Sequence, residues 1–157
     1  MTDSHPGVRI PPPLLFAIGL LAGFALEHWL LPLPLVSPAR LTWLRVLACG
    51  FALASAWLLV SALGGFRRRG TDPRPWREDS ALVVEGIYRH TRNPMYVGMA
   101  MLVAALAVWC NSAWPLLALG PTLLVVRYYV IAREEAYLAL RFGDDYRDYH
   151  GKVPRWF

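Results

Sequence analysis

Cysteine is nearly absent from this chain of 157 residues: there are two, Cys49 and Cys110, both inside apolar runs. With no CxxC pair and no Cys/His cluster, neither a zinc site nor a disulfide framework is supported. The four histidines, His5, His28, His90 and His150, are scattered and make no metal-ligand spacing. Charge is also scarce, 17% of residues where a soluble domain carries about a quarter. Acidic residues are the scarcer sign, 11 against 16 basic ones, for a formal net charge of +5. No basic helix or base-stacking module accompanies that charge, which excludes the usual nucleic-acid readers. There is no internal repeat and no low-complexity tract, and the length suits one domain.

What fills the chain instead is apolar sequence, 56% of residues, gathered into long runs. After a proline-rich tail, Met1 to Pro13, the runs are Leu14–Leu31, Leu41–Leu63, Met95–Cys110 and Ala113–Ala132. A hydrocarbon core takes about 20 apolar residues per helix, and the first run fits if Glu27 and His28 sit at its far interface. It lacks the small-x-small site of a cleaved signal peptide. Pro32, Pro34 and Pro38 make the first turn, and Arg45 is close enough to the start of the second run to snorkel. Small residues at Gly19/Gly23 and Ala48/Ala52/Ala56 have close-packing spacing. The third run is short, so its helix should begin inside the preceding polar segment. Asn111-Ser112 makes a tight turn, and Gly120-Pro121 should kink the fourth run.

Most of the arginines fall in two stretches. The segment Gly64–Pro94 holds Arg67, Arg68, Arg69, Arg74, Arg77, Arg89 and Arg92, stiffened by Pro73 and Pro75; Leu82-Val83-Val84 offers an apolar touch to the membrane surface. The region from Arg133 to Phe157 is the second. The turns Pro32–Arg40 and Asn111–Ser112 contain only Arg40. Four crossings put both basic segments and the N-terminus on one side, which the positive-inside rule makes the cytoplasm. The expected fold is an all-α integral membrane protein of about four transmembrane helices, with a cytoplasmic cap from the central loop and the C-terminal helix.

Two polar clusters then face one compartment. The first is Gly86-Ile-Tyr-Arg-His-Thr-Arg-Asn-Pro-Met-Tyr-Val-Gly98; the second is Arg133-Glu134-Glu135 with Leu138, Phe142-Gly143, Tyr146 and Tyr149. The third and fourth helices form a hairpin, so these remote clusters become neighbours. Such a density of donors and glycines suits a site holding a charged soluble cofactor against a lipid-embedded substrate. Asn93-Pro94 marks a helix start, and a helix N-terminus is suited to an anion such as a carboxylate. Arg92 and Tyr96 also fit simple interfacial anchors. Glu134 and Glu135 point about 100° apart on a helix; one is left to bind hydroxyls or an ammonium, the other to pair with Arg89, Arg92 or Arg133. Arg127 lies one to two turns inside the fourth run, on nearly the same face as Glu134. An intramembrane arginine is a functional candidate, with snorkelling to the surface the alternative.

These residues resemble the isoprenylcysteine carboxyl methyltransferase family, in particular its bacterial branch, and more distantly the phospholipid N-methyltransferases. The pattern Gly-x-Tyr, then Arg-His-Pro-x-Tyr-x-Gly, is matched by Gly86, Tyr88, Arg92, Pro94, Tyr96 and Gly98. Glu-Glu-x-x-Leu ahead of Phe-Gly-x-x-Tyr-x-x-Tyr is matched by Glu134, Glu135, Leu138, Phe142, Gly143, Tyr146 and Tyr149. Thr71-x-Pro73-x-Pro75 and Val153-Pro-Arg-Trp156 also look like the bacterial branch. Asn93 departs from the family's histidine; it can hydrogen-bond but cannot titrate. The resemblance implies a methyltransferase core over residues 64–157 behind two helices at 14–63, with S-adenosylmethionine as cofactor. Its candidate cofactor-binding residues are Tyr88, Arg92, Asn93, Tyr96, Gly98, Glu134, Glu135 and Tyr146. Glu134 and Arg127 are the candidate catalytic residues, Arg127 steering an anionic acceptor. No metal and no nucleic acid is implied; the partners are membrane lipids and a lipophilic or lipid-anchored acceptor. A phospholipid N-methyltransferase and a non-catalytic scaffold that keeps the cofactor pocket are the alternatives.

Overall fold

The computed structural model describes residues 7–70 and 81–157. The start of the N-terminal tail, Pro73, Pro75, Arg74, Arg77 and the Thr71 motif lie outside the described residues. The described residues form helices and connecting turns, without strands. Helix α1 spans Pro12–Trp29, α2 Leu41–Arg69, α3 Pro94–Trp109, α4 Trp114–Val125 and α5 Ala132–Lys152. Between α4 and α5 the chain stays helical but takes π geometry over Val126–Ile131.

Three stretches, Pro12–Trp29, Pro38–Arg69 and Trp114–Lys152, are long and apolar enough to cross a membrane, and Pro94–Trp109 is a shorter apolar helix. Large apolar side chains point outward all along them: Trp43 is 78% exposed and Leu53 72%. Helices apolar on every face suit a lipid environment. The second helix runs past Leu63 to Arg69, because Arg67, Arg68 and Arg69 in its last turn complement the carbonyl end. Gly70 then stops it in the left-handed conformation, φ 64°.

Close backbone approach sets the packing. A side chain at Gly19 would run into Thr122, and a Cβ at Gly23 would lie 2.5 Å from the Pro115 Cα, so α1 crosses α4 on these two glycines. The Ala48/Ala52/Ala56 spacing on α2 marks no such seam, since Ala52 and Ala56 are exposed. The buried stripe is Ala48, Ser55, Leu58, Ala62 and Gly65. Steps of seven residues hold one face of a helix, whereas successive steps of four drift around it. On that stripe the Ser55 hydroxyl donates to the Gly98 carbonyl at 2.7 Å, joining α2 to α3. Within Leu82-Val83-Val84, Val83 turns inward, buried in one cluster with Leu58, Ala62 and Tyr88, while Leu82 and Val84 stay half-exposed.

At one end of the bundle the two short turns lock together. Both Glu27 carboxylate oxygens accept from the Leu33 N–H, and Oε2 accepts from the Ser112 hydroxyl at 2.7 Å. Asn111, at φ 55°, pairs its amide with both the N–H and C=O of Val36. Arg45 holds its guanidinium 5.6 Å from the centre of the Trp109 ring. Residues 7–11, the loop 81–93 and the C-terminal segment gather at the opposite end, where the two polar clusters meet.

Candidate functional site

The loop entering α3 is shaped by two residues. Gly86, at φ 63°, opens a single 3-10 turn over Gly86–Arg89, and Arg69 pairs with Glu85 just before it. Pro94 occupies the first turn of α3, where its missing N–H costs nothing. Asn93 does not cap that helix with its side chain. Its amide donates instead to the Arg155 carbonyl at 3.0 Å, alongside the Thr91 hydroxyl at 3.1 Å, while the Arg92 N–H donates to the Pro154 carbonyl at 3.0 Å. The last residues of the chain are therefore stapled to the loop.

What brings them there is Gly143. The α5 segment breaks at this residue, φ 55° and ψ −122°, a conformation that a side chain disfavours. Beyond the break, Tyr149 donates its hydroxyl to the Tyr88 carbonyl at 2.8 Å, and Tyr146 is buried beside Arg92, its ring edge-on to His150.

Four charged groups meet at this junction. Tyr96, buried in the first turn of α3, donates its hydroxyl to Glu134 Oε1 at 2.5 Å. Glu135 is gripped by Arg155, whose Nε and NH2 lie 3.1 and 2.5 Å from its two oxygens. That bonding pushes the Arg155 pKa further above its ordinary value. Arg92 NH1 lies 2.9 Å from Glu135 Oε1, close enough for an ion pair but off the direction a hydrogen bond needs. The Arg92 side chain is 9% exposed, and its Nε has no hydrogen-bond acceptor. Tyr146 lies beside the same guanidinium without satisfying that nitrogen. A buried donor of this kind is costly unless a ligand completes it. Together these groups join α3 to α5 through Tyr96 and Glu134, and set beside Glu135 an arginine with a nitrogen that has no acceptor.

The remaining sequence candidates take other places. Tyr88 is a packing residue, its ring edge-on to Phe66 at 5.7 Å within the α2 core. Gly98 faces α2, where a Cβ would lie 2.9 Å from Leu59 Cγ. Arg127 does not share the face of Glu134. Bonding from residue i to i+5 over Val126–Ile131 inserts about one extra residue, which turns the downstream helix by roughly 100° against α-helical register. Arg127 is exposed, its guanidinium 5.4 Å from the Tyr128 ring centre, while Val126, Val130 and Ile131 fill the core. Helix α4 continues through Pro121, and its departure from α geometry comes at Val126. On the outer face a groove of about 730 Å³ is lined by Leu124, Val125, Tyr128, Tyr129 and Arg133 among others.

Arg155 is the site residue that the sequence motifs did not single out. Its pairing with Glu135 across twenty positions depends on the break at Gly143, and its one signal was its place in Val153-Pro-Arg-Trp156. Among the described residues no group of His, Cys, Asp and Glu side chains is placed to hold a metal ion.

Comparison with known proteins gives a consistent answer. The phospholipid methyltransferase family model matches residues 43–145. An uncharacterised Haemophilus influenzae protein is 39% identical over 62 residues, 40% of this chain and 98% of its own length. A protein-S-isoprenylcysteine O-methyltransferase of Schizosaccharomyces pombe is 35% identical over 77 residues, 49% of this chain. That match spans only 33% of the yeast protein. No solved structure gives a significant match.

Proposed function

The chain belongs to the phospholipid methyltransferase family, a membrane methyltransferase by its apolar helices, and from that premise we propose that it methylates a lipid-embedded acceptor with S-adenosylmethionine. The observation that carries this reading is the buried Arg92, with an unpaired Nε, held beside Glu135, the sequence neighbour of the Glu134 that Tyr96 bonds. A cofactor with a carboxylate, an ammonium and ribose hydroxyls is complementary to that set. Arg92 takes the carboxylate, since a guanidinium is the fitting donor for it. Glu134, oriented by the Tyr96 hydroxyl, takes the ammonium or the ribose hydroxyls. Glu135 is held by Arg155 and lies beside Arg92. Asn93, Tyr88, Tyr146 and Gly98 support the pocket by fixing the loop, the C-terminal segment and α2 around it.

When bound, the cofactor supplies a methyl group already activated by its sulfonium. The protein's part is alignment and exclusion of water. A carboxylate or thiolate acceptor, such as an isoprenylcysteine end, needs no strong base, which fits a site rich in arginine and tyrosine. The family's own description favours a phospholipid amine as the second reading; that acceptor must lose a proton, and Glu134 is the carboxylate beside Tyr96 that would receive it.

The arrangement in the membrane follows as part of the proposal. Four crossings, counting α3, place the site end, both termini and the loop 81–93 in the cytoplasm, and the locked turns at Glu27 and Asn111 outside. At 16 residues, about 24 Å long, α3 is shorter than the hydrocarbon core, so its Asn93–Tyr96 start sits within reach of lipid-borne groups. The deciding experiment is incubation of the purified protein with methyl-labelled S-adenosylmethionine and membrane extract. Label in an extracted lipid or lipidated peptide is expected, with its base lability separating an ester from an amine. Cofactor binding without any labelled product would favour a scaffold.

A further inference from the structure

Around Glu135 the charges do not balance: two guanidinium groups, Arg92 and Arg155, share one carboxylate. The sharing is unequal. Arg155 meets Glu135 with two nitrogens, at 3.1 and 2.5 Å, both as hydrogen bonds. Arg92 is left with a single ion-pair contact at 2.9 Å that makes no hydrogen bond. The two arginines are also held at fixed places. Pro154 and Arg155 accept through their backbone carbonyls from Arg92 N, Thr91 Oγ1 and Asn93 Nδ2, so the segment carrying one arginine is stapled to the loop carrying the other.

A carboxylate next to a buried guanidinium takes it in a forked pair when nothing competes. In that arrangement Arg92 would spend on Glu135 the nitrogens it now keeps unsatisfied, and the pocket would lose its anion donor. We infer that Arg155 is a positioning residue: it draws Glu135 away from Arg92 and thereby leaves Arg92 open to the carboxylate of the cofactor. The inference rests on the assignment of that carboxylate to Arg92. Arg155 itself touches no ligand; it sets the donor capacity of a residue that does.

The test is calorimetric titration of the full-length protein with two probes, S-adenosylmethionine and 5′-methylthioadenosine, which keeps the nucleoside and lacks the amino-acid end. Wild type should bind both. Arg155→Gln should weaken S-adenosylmethionine by about tenfold, the worth of one charge-assisted hydrogen bond, and leave 5′-methylthioadenosine unchanged. Adding Glu135→Gln should restore the lost affinity, because a neutral amide no longer competes for Arg92. Arg155→Lys, which keeps the charge without the fork, should give a smaller loss confined to S-adenosylmethionine. Equal weakening of both probes, or a double variant no tighter than Arg155→Gln, would mean that Arg155 only holds the fold, and overturns the inference. If Arg155→Gln does not fold, the same question is put on the Glu135→Gln background. There the loss of Arg155 should leave affinity unchanged, and a further tenfold loss overturns the inference. A wild type that binds neither probe overturns the cofactor reading together with it.

Discussion

The two ends of this bundle handle carboxylates in opposite ways. Glu27, at the end with the short turns, is spent on a backbone N–H and a serine hydroxyl, and Asn111 completes the closure by pairing with both polar groups of Val36. Its partners are short side chains and main-chain groups of the two turns. Glu134 and Glu135, at the other end, are held by Tyr96, Arg92 and Arg155, long side chains from around the start of α3 and from the C-terminal segment. The first end satisfies its groups and closes. The second leaves a buried arginine nitrogen without an acceptor. Backbone pairing is how a fold joins its turns. Side chains collected from distant segments and left short of one partner are how a protein keeps a place for something else.

The strongest way to break this contrast is at Arg92. Arg92→Gln removes the unsatisfied donor and one partner of Glu135. Cofactor affinity should fall by about a hundredfold, two charge-assisted contacts at the low end of their range, and methyl transfer should be lost. Titration calorimetry checks the affinity, and unchanged binding would leave the buried guanidinium without the role given to it. Glu134→Gln should cost less, tenfold or somewhat more in affinity, since the amide still accepts from Tyr96 but no longer offers a charge.

The contrasting end sharpens the picture by what it should not do. Glu27→Ala deprives the Leu33 N–H and Ser112 of their acceptor, and such losses cost about 1–3 kcal/mol when the groups are buried. The variant should melt at a lower temperature in detergent while binding S-adenosylmethionine with wild-type affinity. A drop in affinity matching the drop in stability would erase the distinction between a closed end and an open one.

Much of this was legible in the chain. Apolar runs with proline-marked turns gave the helix order, and the hairpin of α3 and α4 brought Tyr96 to Glu134 as expected from their remote motifs. Pairing of one glutamate with an arginine also followed from the 100° between neighbours on a helix, with Arg89, Arg92 and Arg133 all open as the partner. What escaped has physical reasons. The seam on α2 was misread because alanines four apart look like a contact stripe, yet the true stripe steps by seven. The π turn at Val126–Ile131 leaves no composition mark, since valine, tyrosine and isoleucine suit α and π geometry alike. Arg155 was hidden by distance: only after Gly143 reverses the chain does residue 155 come back to residue 135.

The smallest expected effect is the most discriminating one for the outer face. Arg127 was assigned to the acceptor on the premise of a shared face with Glu134, and the π turn removes that premise. It remains an exposed arginine stacked by Tyr128. Arg127→Leu should therefore leave S-adenosylmethionine affinity within about twofold of wild type, inside the scatter expected of a surface substitution. Any effect should appear in the acceptor's apparent KM, because an exposed guanidinium on an apolar helix meets lipid headgroups before it meets the pocket. A several-fold rise in that KM for an anionic acceptor, with kcat and cofactor affinity preserved, would keep Arg127 as a steering residue on the approach from the lipid. A fall in kcat would instead place its guanidinium against the reacting groups, and the π turn would then have to open during turnover. Parallel assays with an uncharged acceptor separate the two, since steering by charge vanishes for it and a role in the chemical step does not.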